Sequence, residues 1–181
     1  IATTYTFVNR VATNNDLDVS VTEEEIITEE ETTEDTTTTS STTTTTLPDE
    51  VVTYLEEIQA EKVQSDELGQ TVLEANEKWD DEISTYQEAK DEFASFIEDA
   101  EQFVETVSEP GPPSTFANLV TSHDELKVLA NLIYEDTKEL LEGLTSSDTG
   151  ERRAAALDSF NENLALFQQK IEETIASVTS S

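Results

Sequence analysis

Counting in sevens from Val51 gives Val51, Ile58, Ser65, Val72, Trp79, Tyr86, Phe93, Ala100 and Val107, and every one of these positions but Ser65 is apolar. Companion positions add Leu55, Leu68, Ala75, Ile83, Phe96, Ile97, Phe103 and Val104. A strict seven-residue apolar period implies a helix wound left-handedly against partner helices. Leu47-Pro48-Asp49-Glu50 is a good start signal, with Pro in the first turn and acids after it. No strong stop follows until Pro110-Gly111-Pro112-Pro113. The expectation is one long helix over residues 48–109, about 90 Å at 1.5 Å per residue.

Two more helices follow the proline turn. Ser122 with Glu125 three residues on reads as a capping box. It predicts a helix over about residues 123–144, striped with Leu126, Leu129, Leu132, Ile133, Leu140, Leu141 and Leu144. Phe116 and Leu119 anchor a short helix or turn before it. Ser146-Ser147-Asp148-Thr149-Gly150 makes a turn, and residues 149–178 carry Leu157, Phe160, Leu164, Phe167, Ile171, Ile175 and Val178 in threes and fours. The fold class is mainly α: a long heptad helix in an antiparallel helical bundle or coiled coil, with a small N-terminal β extension. The second helix should fold back along the later half of the first, and the third should then run parallel to the first. That leaves the early half uncovered. Val51, Leu55, Ile58, Leu68 and Val72 are therefore expected to pack against another subunit, or against the N-terminal strands.

Residues 1–31 read as extended. Tyr5, Phe7 and Val11 sit among Thr4, Thr6 and Asn9, then Leu17, Val19 and Val21 alternate with Asp16, Asp18, Ser20 and Thr22. Thr13-Asn14-Asn15-Asp16 is turn-forming, and Ile26-Ile27 offers a third short piece. Two or three strands are marginal alone, so this extension is expected to dock or to exchange strands. Residues 32–46 form a Thr-rich linker. It reads as a flexible tether, as a carrier of O-glycans or phosphates, or as a segment ordered by a neighbouring subunit.

The chain carries 42 Asp and Glu against 9 Lys and Arg, a formal net of -33 on 181 residues. Such self-repulsion calls for screening by divalent cations, concentrated salt or a basic partner. Phosphate would be repelled, which argues against nucleic acid. No apolar run approaches the roughly 20 residues of a membrane helix. Cys 0 excludes disulfides and thiolate chemistry. No Asn-x-Ser/Thr sequon occurs. Met 0 and a start at Ile1 read as a processed product.

No residues assemble into a recognisable reaction. His123 is the only histidine and reads as a surface residue beside a helix start. Trp79 falls in the seven-residue series and reads as core. Acid pairs such as Asp80-Asp81-Glu82 and Glu98-Asp99 recur too often for any one to mark an acid/base site. Asp16-x-Asp18-x-Ser20 begins like an EF-hand loop, but Val21 replaces its Gly and Ile27 its bidentate Glu. What remains is a solvated acidic stretch or diffuse, weak calcium binding by Glu23, Glu24, Glu25, Glu29, Glu30, Glu31, Glu34 and Asp35. No other cofactor is implied. Arg152 and Arg153 lie near a helix N-terminus, the unfavoured end for cations. They are expected to pair with Asp80, Asp81, Glu82 or Glu88.

The acidic series from Val51 to Val107 and the stripe from Leu157 to Val178 resemble the granule-lattice and trichocyst matrix proteins of ciliates. The resemblance implies an acidic helical polypeptide cut from a precursor and packed in a crystalline secretory core that expands when calcium arrives. Secretory granule or extracellular space would be its location. The first functional expectation is accordingly a non-enzymatic structural protein that assembles with itself or homologous subunits under control of divalent cations. A second is an acidic, O-glycosylated surface or filament protein of a salt-loving microbe or its virus. A third is an acidic binder of a basic partner.

Overall fold

The seven-residue series is continuous, but the helix that carries it is not. The computed structural model describes residues 47–147 and 149–179, and in it the stretch expected to be one helix is two: α1 over Asp49–Asp80 and α2 over Tyr86–Ser108. The stop after α1 is built by backbone. Glu82 adopts φ 57°, its N–H reaches the Trp79 carbonyl at 3.1 Å, and the Ile83 N–H reaches back to Lys78 at 2.9 Å. That pair of bonds is a Schellman closure, normally supplied by glycine. Here a glutamate occupies the left-handed position at a cost of about 1 kcal/mol.

The restart is a capping box. Thr85 Oγ1 accepts the Glu88 N–H at 3.3 Å, and Glu88 Oε2 accepts the Thr85 N–H at 2.8 Å. Thr85 Oγ1 also donates to Glu88 Oε2 at 2.7 Å, and this bond, with that from the Thr85 N–H, favours the ionised Glu88 carboxylate and holds its pKa below the usual range. Replacing Thr85 with Ala is expected to cost about 1 kcal/mol, read as a lower urea midpoint with unchanged slope. An unchanged midpoint would mean that the cap is not what positions the turn.

Two further helices complete the bundle, α3 over Ala117–Thr145 and α4 over Glu151–Thr179. α3 begins earlier than the Ser122–Glu125 signature suggests, because burying Leu119 favours another turn of helix at that end. Gly150, at φ 87°, turns the chain into α4. The described residues are 86% helical, with four mutually packed helices and no strand among them.

The extra break reverses a direction. α4 runs antiparallel to α1, not parallel: Arg153 meets Asp80, Gln168 meets Asp66 at 2.6 Å, and Lys62 meets Glu172 at 2.5 Å. The order is up-down-up-down, each helix packing on its sequence neighbours and α1 also on α4. Across the diagonals, Phe103 and Phe167 stack edge-on with centroids 5.1 Å apart, and Tyr54 contacts His123.

This closure corrects the expectation of an intermolecular face on the early helix. Val51, Ile58, Leu68 and Val72 lie in the chain's own core, and Leu55 packs partly buried against it. With α2 and α4 both packed on α1, the inward stripe of each half is covered within the chain. Trp79 packs partly buried against the core, edge-on to Tyr86. The expected β extension (1–31), the Thr-rich linker (32–46) and the acids from Glu23 to Asp35 lie outside the described residues.

Candidate interaction surface

Several polar groups occupy core positions. On α1 the inward stripe reads Val51, Tyr54, Ile58, Glu61, Ser65, Leu68, Val72, Ala75, so a glutamate fills a slot meant for a hydrophobe. Glu61 is 4% exposed, and its Oε2 has no hydrogen-bond partner among the described residues. Burial, aided by the charge of Glu57, raises its pKa to about 7. Burial also pushes the Tyr54 hydroxyl far above its usual value, with Glu61 and Glu57 adding to the shift.

His123 sits near this end. It is buried, which corrects its reading as a surface residue: the earlier start of α3 turns it inward. Its Nδ1 lies 3.4 Å from the Tyr54 hydroxyl, a long contact. Burial and then Lys127 lower its pKa, favouring the neutral ring. Asp136 on α3 is likewise buried and shifted upward, although it accepts a 2.7 Å bond from Asn163 of α4. These groups join helices within the bundle.

The paired arginines divide. Arg153 reaches Asp80 Oδ1 at 2.5 Å and donates to Asn76, tying α4 to the end of α1. Arg152 turns the other way. It binds Glu139 of α3 at 2.7 Å and also contacts Glu142, so acids on α3 take the place of its expected partner, Asp80, Asp81, Glu82 or Glu88. Adjacent residues on a helix point about 100° apart, so the two side chains serve different neighbours.

Ion pairs engage six of the eight basic residues in 47–181, namely Lys62, Lys78, Lys138, Arg152, Arg153 and Lys170. The same segment holds 32 acids, so most of its carboxylates have no basic partner among the described residues. Among those residues, no cluster of three or more His, Asp or Glu is arranged to hold a metal ion. No described helix is long and apolar enough to cross a membrane.

The outer face of α3 and α4 breaks this acidic pattern. A groove of about 550 Å³ runs between the two helices. Val128 and Leu129 of α3 and Leu166 of α4 form its apolar floor, with Asp124, Glu125 and Glu173 on its margins. Val128 is 60% exposed and Leu166 43%, and Leu132, one turn beyond Val128, is 43% exposed. Lys170, the basic residue in the lining, is tied to Glu125. The inward stripe of α3 uses Leu126, Ala130, Ile133 and Leu140, which leaves Val128 and Leu132 on the other side. Sequence reading placed Leu132 on the core stripe and passed over Val128 and Leu166. The available signal on α3 was the four-residue spacing of Val128 and Leu132, off the stripe of Leu126, Ala130 and Ile133.

No family model, curated protein or solved structure matches the chain.

Proposed function

We propose that this chain is a non-catalytic association module, an acidic four-helix bundle that takes up basic polypeptides on its outer surface. The single observation that carries the reading is an apolar strip exposed within a surface dominated by unpaired carboxylates. Apolar contact gives short-range adhesion, and the acid excess attracts cationic partners and repels anionic ones. His123 and Asp136 at the centre of the bundle are spent on cross-helix contacts to Tyr54 and Asn163, which fits a module that works through its exterior.

A second reading is cation-gated self-assembly, with calcium as the screening ion and a granule or extracellular lattice as the setting. What favours it is the spread of exposed apolar residues over several faces, including Val52, Val63, Ile83 and Tyr86 as well as the α3–α4 strip. A lattice needs such repeated contacts, and bound cations would offset the repulsion between copies.

Sedimentation of the full chain separates the two. An acidic binder of basic polypeptides stays dispersed in low salt and in a few millimolar calcium at constant ionic strength, and shifts only when a cationic polypeptide is added. Assembly driven by calcium alone would replace the first reading with the second.

A further inference from the structure

We propose that the α3–α4 groove is a docking site for a basic amphipathic helix of a partner protein. The inference rests on the reading of the chain as an acidic association module and specifies where, and by what chemistry, a partner is held. Val128 in the groove and Leu132 one turn beyond its lining are four residues apart on α3, so the two exposed side chains recur about 6 Å apart along the helix. An incoming helix presents its own apolar side chains at the same interval. Leu166, on α4, closes the strip from the other side.

Charge decides between occupants. The margins carry Asp124, Glu125 and Glu173, and only Glu125 has a basic partner in the lining, Lys170. A helix with a Leu- or Val-rich face flanked by Lys and Arg would seat its apolar side chains on Val128, Leu129 and Leu166 and bring cations to Asp124 and Glu173. A second copy of this bundle would bring the same carboxylates against these, so that juxtaposition is repulsive.

The test uses the full chain and two synthetic peptides of about 18 residues, five turns of helix. One is a Leu/Lys sequence with all Leu on one face. The other has the same composition, scrambled so that no face forms. The amphipathic peptide is expected to bind more tightly than the scrambled one at physiological ionic strength. The double substitution Val128→Gln and Leu166→Gln should weaken the amphipathic peptide about tenfold, as loss of central apolar anchors does, and leave the scrambled peptide unchanged. Both sites are exposed, so the melting temperature should hold. As a second variant, Asp124→Asn with Glu173→Gln should weaken the same peptide and flatten its salt dependence.

Equal binding of the amphipathic peptide to wild type and both variants overturns the groove as the site and leaves the acidic-module reading standing. If neither peptide binds, both the site and that reading fail. Self-association that is lost on Val128→Gln and Leu166→Gln would overturn the proposal in favour of a second copy.

Discussion

Replacing Glu61 with Gln is expected to stabilise the bundle at pH 8 by about 2 kcal/mol and, by pH 4, to lose that gain and leave the variant about 1 kcal/mol the less stable. Glu61 has a folded pKa of about 7 against an ordinary value of 4.5. The fold therefore prefers the neutral carboxyl. Below the unfolded value both states are protonated and the side chain carries no penalty. As pH rises from about 4.5 to about 7, the unfolded chain releases the proton and the folded chain keeps it, so stability falls. Above 7 the penalty is complete, about 3 kcal/mol at 1.36 kcal/mol per pKa unit. Gln matches the shape without the charge but leaves a buried amide short of partners, so it recovers only part of that sum. The measurement is urea unfolding of both proteins from pH 4 to pH 8. Self-repulsion among the remaining acids changes with pH in both, so the difference between the curves is diagnostic. Parallel curves would mean that Glu61 is ionised in the fold at neutral pH and that its burial is offset by another contact.

Gly143→Ala is expected to destabilise the bundle by about 2 kcal/mol, whereas Gly69→Ala should be close to neutral or mildly stabilising. Both glycines lie inside helices, where Ala in place of Gly gains about 1 kcal/mol of helix propensity. What differs is the neighbour that a new methyl meets. At Gly143 it would fall 2.5 Å from the Arg153 backbone nitrogen and 2.6 Å from its Cα. Backbone cannot rotate aside, so α3 and α4 must separate there, and overpacking of that kind costs about 1–3 kcal/mol or more. At Gly69 the clash is with Leu164 Cδ2 at 2.4 Å, the end of a side chain with other rotamers open to it. Thermal melts of the two variants against wild type test the contrast. Equal losses would show that Leu164 is as immobile as backbone. An unharmed Gly143→Ala would show that the α3–α4 spacing is not held at this crossing.

The break between α1 and α2 shows where local reading stopped short. Its restart was written in Thr85-Tyr86-Gln87-Glu88, a capping-box pattern as good as the Ser122–Glu125 pattern that α3 ignores. Its stop carried no glycine or proline, because Glu82 takes up the left-handed conformation. Apolar period dominated the reading, and a two-helix hairpin can keep that period as well as one long rod. The same ambiguity reversed α4 and made Val51, Ile58 and Val72 look bare. Of the two arginines, Arg153 meets one of its expected acids, whereas Arg152 faces α3, a direction that depends on how far each helix is rotated.

From its residues alone, this chain was bound to be mainly helical, strongly acidic and rich in faces that need covering, because apolar spacing and charge are local quantities counted along the chain. Only the tertiary structure decided which helices cover which faces. Burial of Leu119 set the start of α3, a cap and a strained turn set the number of helices, and their rotation about the core left Val128, Leu132 and Leu166 outside. Those outcomes depend on contacts between residues far apart in sequence, and no local pattern encodes the competition among them.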